Sequence, residues 1–305
     1  VFTAGCAGGN RTECVIPVAR EKFDGTALKV TVNGLRGGHS GEMINRGRAN
    51  SSMLIGRALD VLDGVWDMRV VSGDGGLKDN AIPVESFAVV VVSDEKKARE
   101  ALEKFGDDLK NEYRTPDPDV TLCVESAAPT VLPMTNADSE KVVTLLTCMP
   151  NGLIELSMDV AGLPQTSLNL GILTTSENEV SASFCVRSSV SSQKEMLKKR
   201  LTRMTALLGG TVSYFGEYPA WEFKSDSPIL KLCADVYEKK FGKKPVITAI
   251  HGGLECGLFS EKMPGLDCVS FGPDIFDIHT PREKLSVSSL NRTWEFLLEV
   301  LKEMK

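Results

Sequence analysis

The run Phe87-Ala88-Val89-Val90-Val91-Val92 is too rich in β-branched residues to be anything but a strand, and Asp94 to Tyr113, which follow it, alternate charged and apolar residues with helical period. The same order returns later in the chain. Residues 179 to 189 alternate as a strand, and Ser191 to Leu208 read as an amphipathic helix ending at Gly209-Gly210. Each pair is preceded by a further strand, Leu28 to Val32 in the first case and Ile154 to Val160 in the second. Between the first strand and the valine run, Asn45 to Leu62 place Met53, Leu54, Ala58, Val61 and Leu62 at mostly helical spacing, so a helix follows the glycine-rich loop around His39. Two strand-then-helix units in tandem predict a duplicated α+β layer. From about Trp221 the texture changes to helix (Ser227 to Phe241), strand (Val246 to Ile250), glycine loop, strand (Cys268 to Phe271) and a last helix from about Ser288. That alternation predicts parallel α/β packing with sites at strand ends. The expected organisation is an α+β domain, residues 21–217, inserted between the two ends of an α/β domain, residues 1–20 and 218–305.

Composition narrows the function classes. The 305 residues are 42% hydrophobic and 25% charged, as in ordinary globular proteins, with a net charge of −6. Lys and Arg are spread throughout, so neither a nucleic-acid partner nor an anionic membrane surface is expected. Eight cysteines, at 6, 14, 123, 148, 185, 233, 256 and 268, show no Cys-x-x-Cys spacing. They argue against a zinc ribbon or a disulfide framework and for reduced thiols in a cytoplasmic protein. No apolar run has transmembrane length and no signal peptide is visible. Val1-Phe2-Thr3-Ala4 reads like a strand entered partway through, so the expected start of the natural chain is upstream.

Only three histidines occur, each in a short segment marked by glycine, proline or acid: Gly37-Gly38-His39-Ser40-Gly41, His251-Gly252-Gly253-Leu254-Glu255 and Asp277-Ile278-His279-Thr280-Pro281-Arg282-Glu283. Imidazole is the commonest metal ligand and the usual acid or base near neutrality, so chemistry is sought there. In an extended Asp277-Ile278-His279 both side chains share a face, which lets the carboxylate orient a metal-bound ring, and Thr280 to Glu283 read as a capping box with Pro at the first helical position. A helix cap beside a surface histidine fits the same residues. Around His39 a serine nucleophile elbow fails on spacing, since Glu42 stands where glycine is needed. Taken alone, that segment reads first as a glycine turn between strand and helix, with His39 incidental. The 251–255 loop can offer backbone N–H groups to a carbonyl or carboxylate and Glu255 to an amine, and close packing explains its glycines as well. Arg187 shares its strand's polar face with Ser181, Ser183 and Cys185, a setting suited to bidentate grip on a carboxylate, although such an arginine is more often solvated.

Five ordered motifs, Gly-Gly-His-Ser-Gly, Asn80-Ala-Ile-Pro, Val186-Arg-Ser-Ser, His251-Gly-Gly-Leu-Glu-Cys-Gly and His279-Thr-Pro-Arg-Glu, together with Gly5-Cys6-Ala7-Gly8-Gly9, span essentially the whole chain. In this order they resemble the aminoacyl-histidine dipeptidase (Xaa-His dipeptidase, carnosinase-like) branch of the zinc aminopeptidase/aminoacylase superfamily. The resemblance implies a doubly wound α/β catalytic domain, present here in part, with an inserted, duplicated strand-helix lid through which relatives dimerise. It implies two divalent metal ions, zinc with manganese or cobalt as alternatives, and hydrolysis of Xaa-His and similar dipeptides by a metal-activated water. His279 matches the last metal ligand, with Asp277 beside it. His39 matches a lid histidine that in relatives reaches an active site across the dimer and steadies the oxyanion, while Asn80, Arg187, His251, Gly253 and Glu255 match substrate-binding positions. The family's other metal ligands would lie upstream of Gly5, so the chain is expected to be a C-terminal part and inert alone. The rival expectations are an N-acyl amino acid deacylase or tripeptidase of the same superfamily, and a non-catalytic dimerisation module.

Overall fold

The computed structural model describes residues 1–63, 67–278 and 280–304. In chain order the strands and helices are Phe2–Cys6 (β1), Gly8–Pro17 (β2), Thr26–Asn33 (β3), Gly38–His39 (β4), Ser51–Asp63 (α1), Met68–Gly75 (β5), Ala81–Ile82 (β6), Ser86–Val92 (β7), Glu95–Glu112 (α2) and Thr121–Ser126 (β8). Asn136–Cys148 (α3), Gly152–Leu156 (β9), Pro164–Thr175 (β10), Glu179–Ser188 (β11), Ser191–Leu207 (α4) and Thr211–Tyr218 (β12) follow. The last part holds Pro228–Phe241 (α5), Ile247–Ile250 (β13), Glu255–Lys262 (α6), Ile275–Phe276 (β14), Lys284–Leu285 (β15) and Val287–Glu303 (α7).

Most strands join one sheet in the order β12-β2-β11-β10-β5-β7-β3-β8, with β9 also pairing to β10. Its pairings are antiparallel. The order is palindromic about the β10–β5 junction. On one side β3, α1, β5, β7, α2 and β8 lie as β8-β3-β7-β5; on the other β2, α3, β10, β11, α4 and β12 lie as β12-β2-β11-β10. The halves meet at one registered pair, Leu173 with Gly75, and α1 packs on α3. The duplication expected from sequence is therefore present, but the first unit is threaded between β2 and the rest of the second.

This corrects the boundary expected near residue 20. Gly8–Pro17 fills the gap between β11 and β12 and pairs with both, so only the first few residues belong to the smaller layer. The chain crosses between the layers at Ala7-Gly8 and again after Tyr218. The two crossings are tied by mutual backbone hydrogen bonds between Cys6 and Trp221, at 2.9 and 3.0 Å.

Local chemistry sets the element ends. Asp94 caps α2 by accepting from the Lys97 amide, and Ser227 and Ser286 do the same for α5 and α7. The helix expected from Asn45 begins at Ser51 instead. Gly47, at φ 69°, ends a short 3-10 turn, and the Asn50 side chain then accepts from the amides of Ser52 and Met53, at 3.1 and 3.3 Å. The strand expected at Cys268 to Phe271 reduces to one bridge, Ser270 with Thr3. The helix start expected at Thr280 is a turn joining β14 to β15: the Thr280 amide and hydroxyl both donate to the Asp277 carbonyl, at 3.2 and 2.7 Å, and turn the chain back on itself.

The core of the large layer is continuous through both units, from Leu28, Val30, Leu59 and Val90 to Leu168, Phe184 and Leu201. The small layer is thinner. There β1 pairs in parallel with β13, and Phe2 packs among Tyr237, Phe271 and Phe296 with ring centroids 5.4 to 5.7 Å apart. Side chains such as Trp294, Leu301 and Phe259 stay exposed on its helices.

The α1–α3 junction leaves no room for a methyl group. A Cβ on Gly56 would lie 2.5 Å from Leu146 Cβ and 2.7 Å from the Leu146 carbonyl oxygen. In a solvent-facing helix Gly→Ala stabilises by about 1 kcal/mol, whereas overpacking costs about 1–3 kcal/mol. Gly56→Ala is expected to lower the urea midpoint, with the sign opposite to helix propensity.

Candidate active site

Antiparallel register draws four residues into one transverse row across β10, β11, β2 and β12: Ser167 opposes Arg187, Arg187 opposes Gly9, and Gly9 opposes Tyr218. Directly opposed residues share a face. The next row holds Asn169, Cys185, Arg11 and Phe215. The alternate residues, among them Leu168, Phe184 and Val186, face the core.

Arg187 is only 8% exposed. Its Nη1 donates to the Tyr218 hydroxyl at 3.0 Å, and its Nε is buried without a partner. Among the described residues no carboxylate comes within ion-pair distance of it. A buried guanidinium without a counter-charge is costly, and it is a ready place for a ligand's anion.

The two described histidines converge on this arginine from different layers. His251 follows β13 and is 4% exposed; its Nε2 lies 2.7 Å from the Ser167 hydroxyl, and its Nδ1 is buried without a hydrogen bond of ordinary geometry. Burial first, then Arg187 and His39, push its pKa down to about 3, against which a backbone carbonyl at Pro164 acts only weakly. His39 ends β4 and is half-buried. Its Nδ1 accepts from the Gly41 and Glu42 amides, at 3.2 and 3.3 Å, which leaves the neutral ring's proton on Nε2. Burial and then Arg187 hold His39 below the usual histidine value, with Glu42 opposing them. Gly41 is the contact between these segments: a Cβ there would lie 2.6 Å from the His251 carbonyl oxygen and 3.0 Å from the His39 ring. His39 thus lies beside His251 of its own chain, where the resemblance has this histidine act across a dimer.

The remaining sequence candidates scatter around this centre. Asn80 is exposed in the turn before β6, and its carbonyl accepts from the Ser40 amide at 2.9 Å, next to His39. That turn is held by Asn169, whose side-chain amide donates to the Ala81 carbonyl at 2.8 Å, and by the Arg11–Asp79 ion pair. Gly253 and Glu255 are exposed at the entry to α6, with the Tyr218 ring against Gly253. With Leu254, Leu258, Tyr218 and Pro219 they line a concavity of about 280 Å³. A larger one, about 590 Å³ and mostly apolar, is lined by Leu77, Ile82, Pro83 and Val84 and includes none of His39, Arg187 or His251.

Asp277 is exposed with φ 52°, and His279 lies outside the described residues. Among the described residues no group of three or more His, Cys, Asp or Glu could hold a metal ion. The residues described here do not by themselves form a metal centre.

Reasoning from sequence missed Ser167, Tyr218, Asn169 and Arg11. One signal was available: Gly8-Gly9 in a strand interior marks a close approach, and Gly9 is where the Tyr218 phenol crosses the sheet.

The model of peptidase family M20/M25/M40 matches residues 69–303. The chain belongs to this family. It is 34% identical over 304 residues to the cytosol non-specific dipeptidase of Escherichia coli (strain K12), an alignment covering 98% of this chain and 63% of that protein. The crystal structure of aminoacylhistidine dipeptidase from Vibrio alginolyticus superposes with a TM-score of 0.94 at 35% identity, covering 99% of this chain and 62% of that one. The chain thus spans less than two thirds of the length of either relative. Peptidases of the M20 family are generally metal-dependent hydrolases. Among the described residues no helix of this M20 chain is long and apolar enough to cross a membrane.

The depressed His251 has a thermodynamic consequence. Between about pH 6.5 and pH 3 the unfolded chain binds a proton at this position that the folded chain refuses, so stability falls with pH by about 1.4 kcal/mol per pH unit. Above pH 6.5 the contribution is flat. Unfolding free energies at pH 7.5 and 5.0 should differ by about 2 kcal/mol more in the wild type than in His251→Gln.

Proposed function

We propose that the protein takes part in metal-dependent hydrolysis of Xaa-His and similar dipeptides, with Arg187 gripping the substrate's terminal carboxylate and His39 donating its Nε2–H to the oxyanion. One observation carries this reading: a buried arginine without a described counter-ion, flanked by two histidines that burial and that same arginine hold neutral. A site with this electrostatics favours an anion, and a dipeptide brings one at its carboxylate and develops a second during attack. A neutral imidazole suits the second role, because it donates without competing with Arg187 for the carboxylate.

The similarity to the E. coli and Vibrio dipeptidases supports the substrate class. Two divalent ions, zinc or alternatively manganese or cobalt, would activate the attacking water, with His279 as a ligand and Asp277 beside it. The described residues supply no cluster for these ions, so what this chain adds is substrate grip and charge stabilisation. Asn80, His251, Gly253 and Glu255 would line the substrate, with the Glu255 carboxylate facing the substrate's amine. We further propose a cytoplasmic homodimer joined through the large layer, which serves as the lid, with residues after Tyr218 and the first few of the chain in the catalytic layer.

Three measurements test this. The purified chain with added zinc or manganese should release no histidine from glycyl-histidine above the metal-only rate, and robust hydrolysis would overturn the proposed division of labour. In catalytically competent protein, His39→Ala should lower kcat by about 10²–10³-fold with KM little changed. A panel in which N-acyl amino acids outrun β-alanyl-histidine and glycyl-histidine would favour a deacylase instead.

A further inference from the structure

The row Ser167–Arg187–Gly9–Tyr218 carries more than the placement of Arg187. Tyr218 is the last residue of β12, two strands away from β11, and a direct contact with Arg187 must pass over whatever occupies β2 between them. At that position β2 has Gly9. A Cβ there would lie 2.6 Å from the Tyr218 hydroxyl oxygen and 2.8 Å from its Cζ, so even alanine would displace the phenol. Gly253 also abuts the ring, and its Cβ would lie 2.9 Å from Cε2. The ring thus packs against two residues that lack side chains, one from each layer, and its hydroxyl ends 3.0 Å from Arg187 Nη1.

We propose that Tyr218 is a positioning residue that sets the aim of the Arg187 guanidinium, with Gly9 kept bare so that the phenol can reach across β2. This rests on the reading of Arg187 as the carboxylate grip. The hydroxyl accepts one guanidinium N–H, which fixes the rotation of a planar fork whose Nε has no other partner. Burial raises the phenol's pKa, so it stays protonated and adds no negative charge to compete with the ligand. A carboxylate in Tyr218's place would neutralise Arg187; a phenol orients it and leaves its charge for the substrate.

The test compares binding of glycyl-histidine with that of glycyl-histidinamide, which lacks the terminal carboxylate, by titration calorimetry on the chain and its variants. The wild type should prefer the acid by about tenfold or more, the scale of a hydrogen-bonded charge contact. Tyr218→Phe, which keeps the ring, should bring the two affinities to within about twofold, with a lower urea midpoint because a buried guanidinium N–H loses its acceptor. Gly9→Ala, which displaces the hydroxyl instead of removing it, should lose the same preference, and the double variant should lose no more than either single one. Preference retained in Tyr218→Phe overturns the positioning role while leaving Arg187's grip intact. Absence of preference in the wild type overturns the grip itself and this proposal with it.

Discussion

A guanidinium held at 8% exposure in the middle of an antiparallel sheet is the constraint around which the neighbouring residues are arranged. Removing a guanidinium from water is expensive without an anion nearby. Among the described residues that anion is missing, and what surrounds it is neutral: the Tyr218 phenol, the Ser167 hydroxyl, and two imidazoles kept uncharged. Each of these choices costs stability relative to an internal ion pair. Each also leaves the positive potential available to a ligand, which is the expected trade between stability and function at a binding site.

The palindromic sheet explains how such a site is assembled. Arg187 comes from the second strand-helix unit, His39 from the loop after β3 in the first, and His251 from the smaller layer. Because β10 and β5 lie side by side at the centre of the sheet, the His39 turn can fold over β10, where Asn169 takes hold of its neighbour β6. Glycine marks the tight points. Gly171 lies beneath the Asp79 backbone, where a Cβ would come within 2.4 Å of the Asp79 carbonyl oxygen, and β10 bulges between Leu170 and Ile172.

What was legible in the sequence follows from locality. The valine run of β7 and the charged period of α2 announce themselves within twenty residues, as do β11 and α4. By contrast α3 buries Asp138 and Ser139 along with Val142, Val143, Leu145 and Leu146, so polar residues stand on its inner face and blur the apolar period. The placement of β2 depends on partners about 170 residues away in β11, and no local pattern encodes that choice. The site divides in the same way. His39, Arg187 and His251 stand in segments whose composition singles them out, whereas Tyr218 is an unremarked aromatic at a strand end. Its meaning appears only when register sets it opposite Gly9.

The two histidines differ in their surroundings, and so in what each can do. His251 is nearly inaccessible, joined to Ser167 across the two layers, and uncharged until about pH 3. A group so far from its ordinary value is a poor proton carrier near neutrality, because the charged form it would pass through is too unstable. Its contact with Ser167 ties the smaller layer to the face that carries Arg187. His39 is more open, and its Nδ1 is engaged by two loop amides, so a single N–H remains to be directed outward. Adding a proton to Nδ1 would break both amide contacts, so the loop geometry and the burial oppose charging together. The arrangement therefore favours one fixed neutral donor beside one fixed cation, and it is the unequal burial of two chemically identical side chains that separates an anchor from a donor.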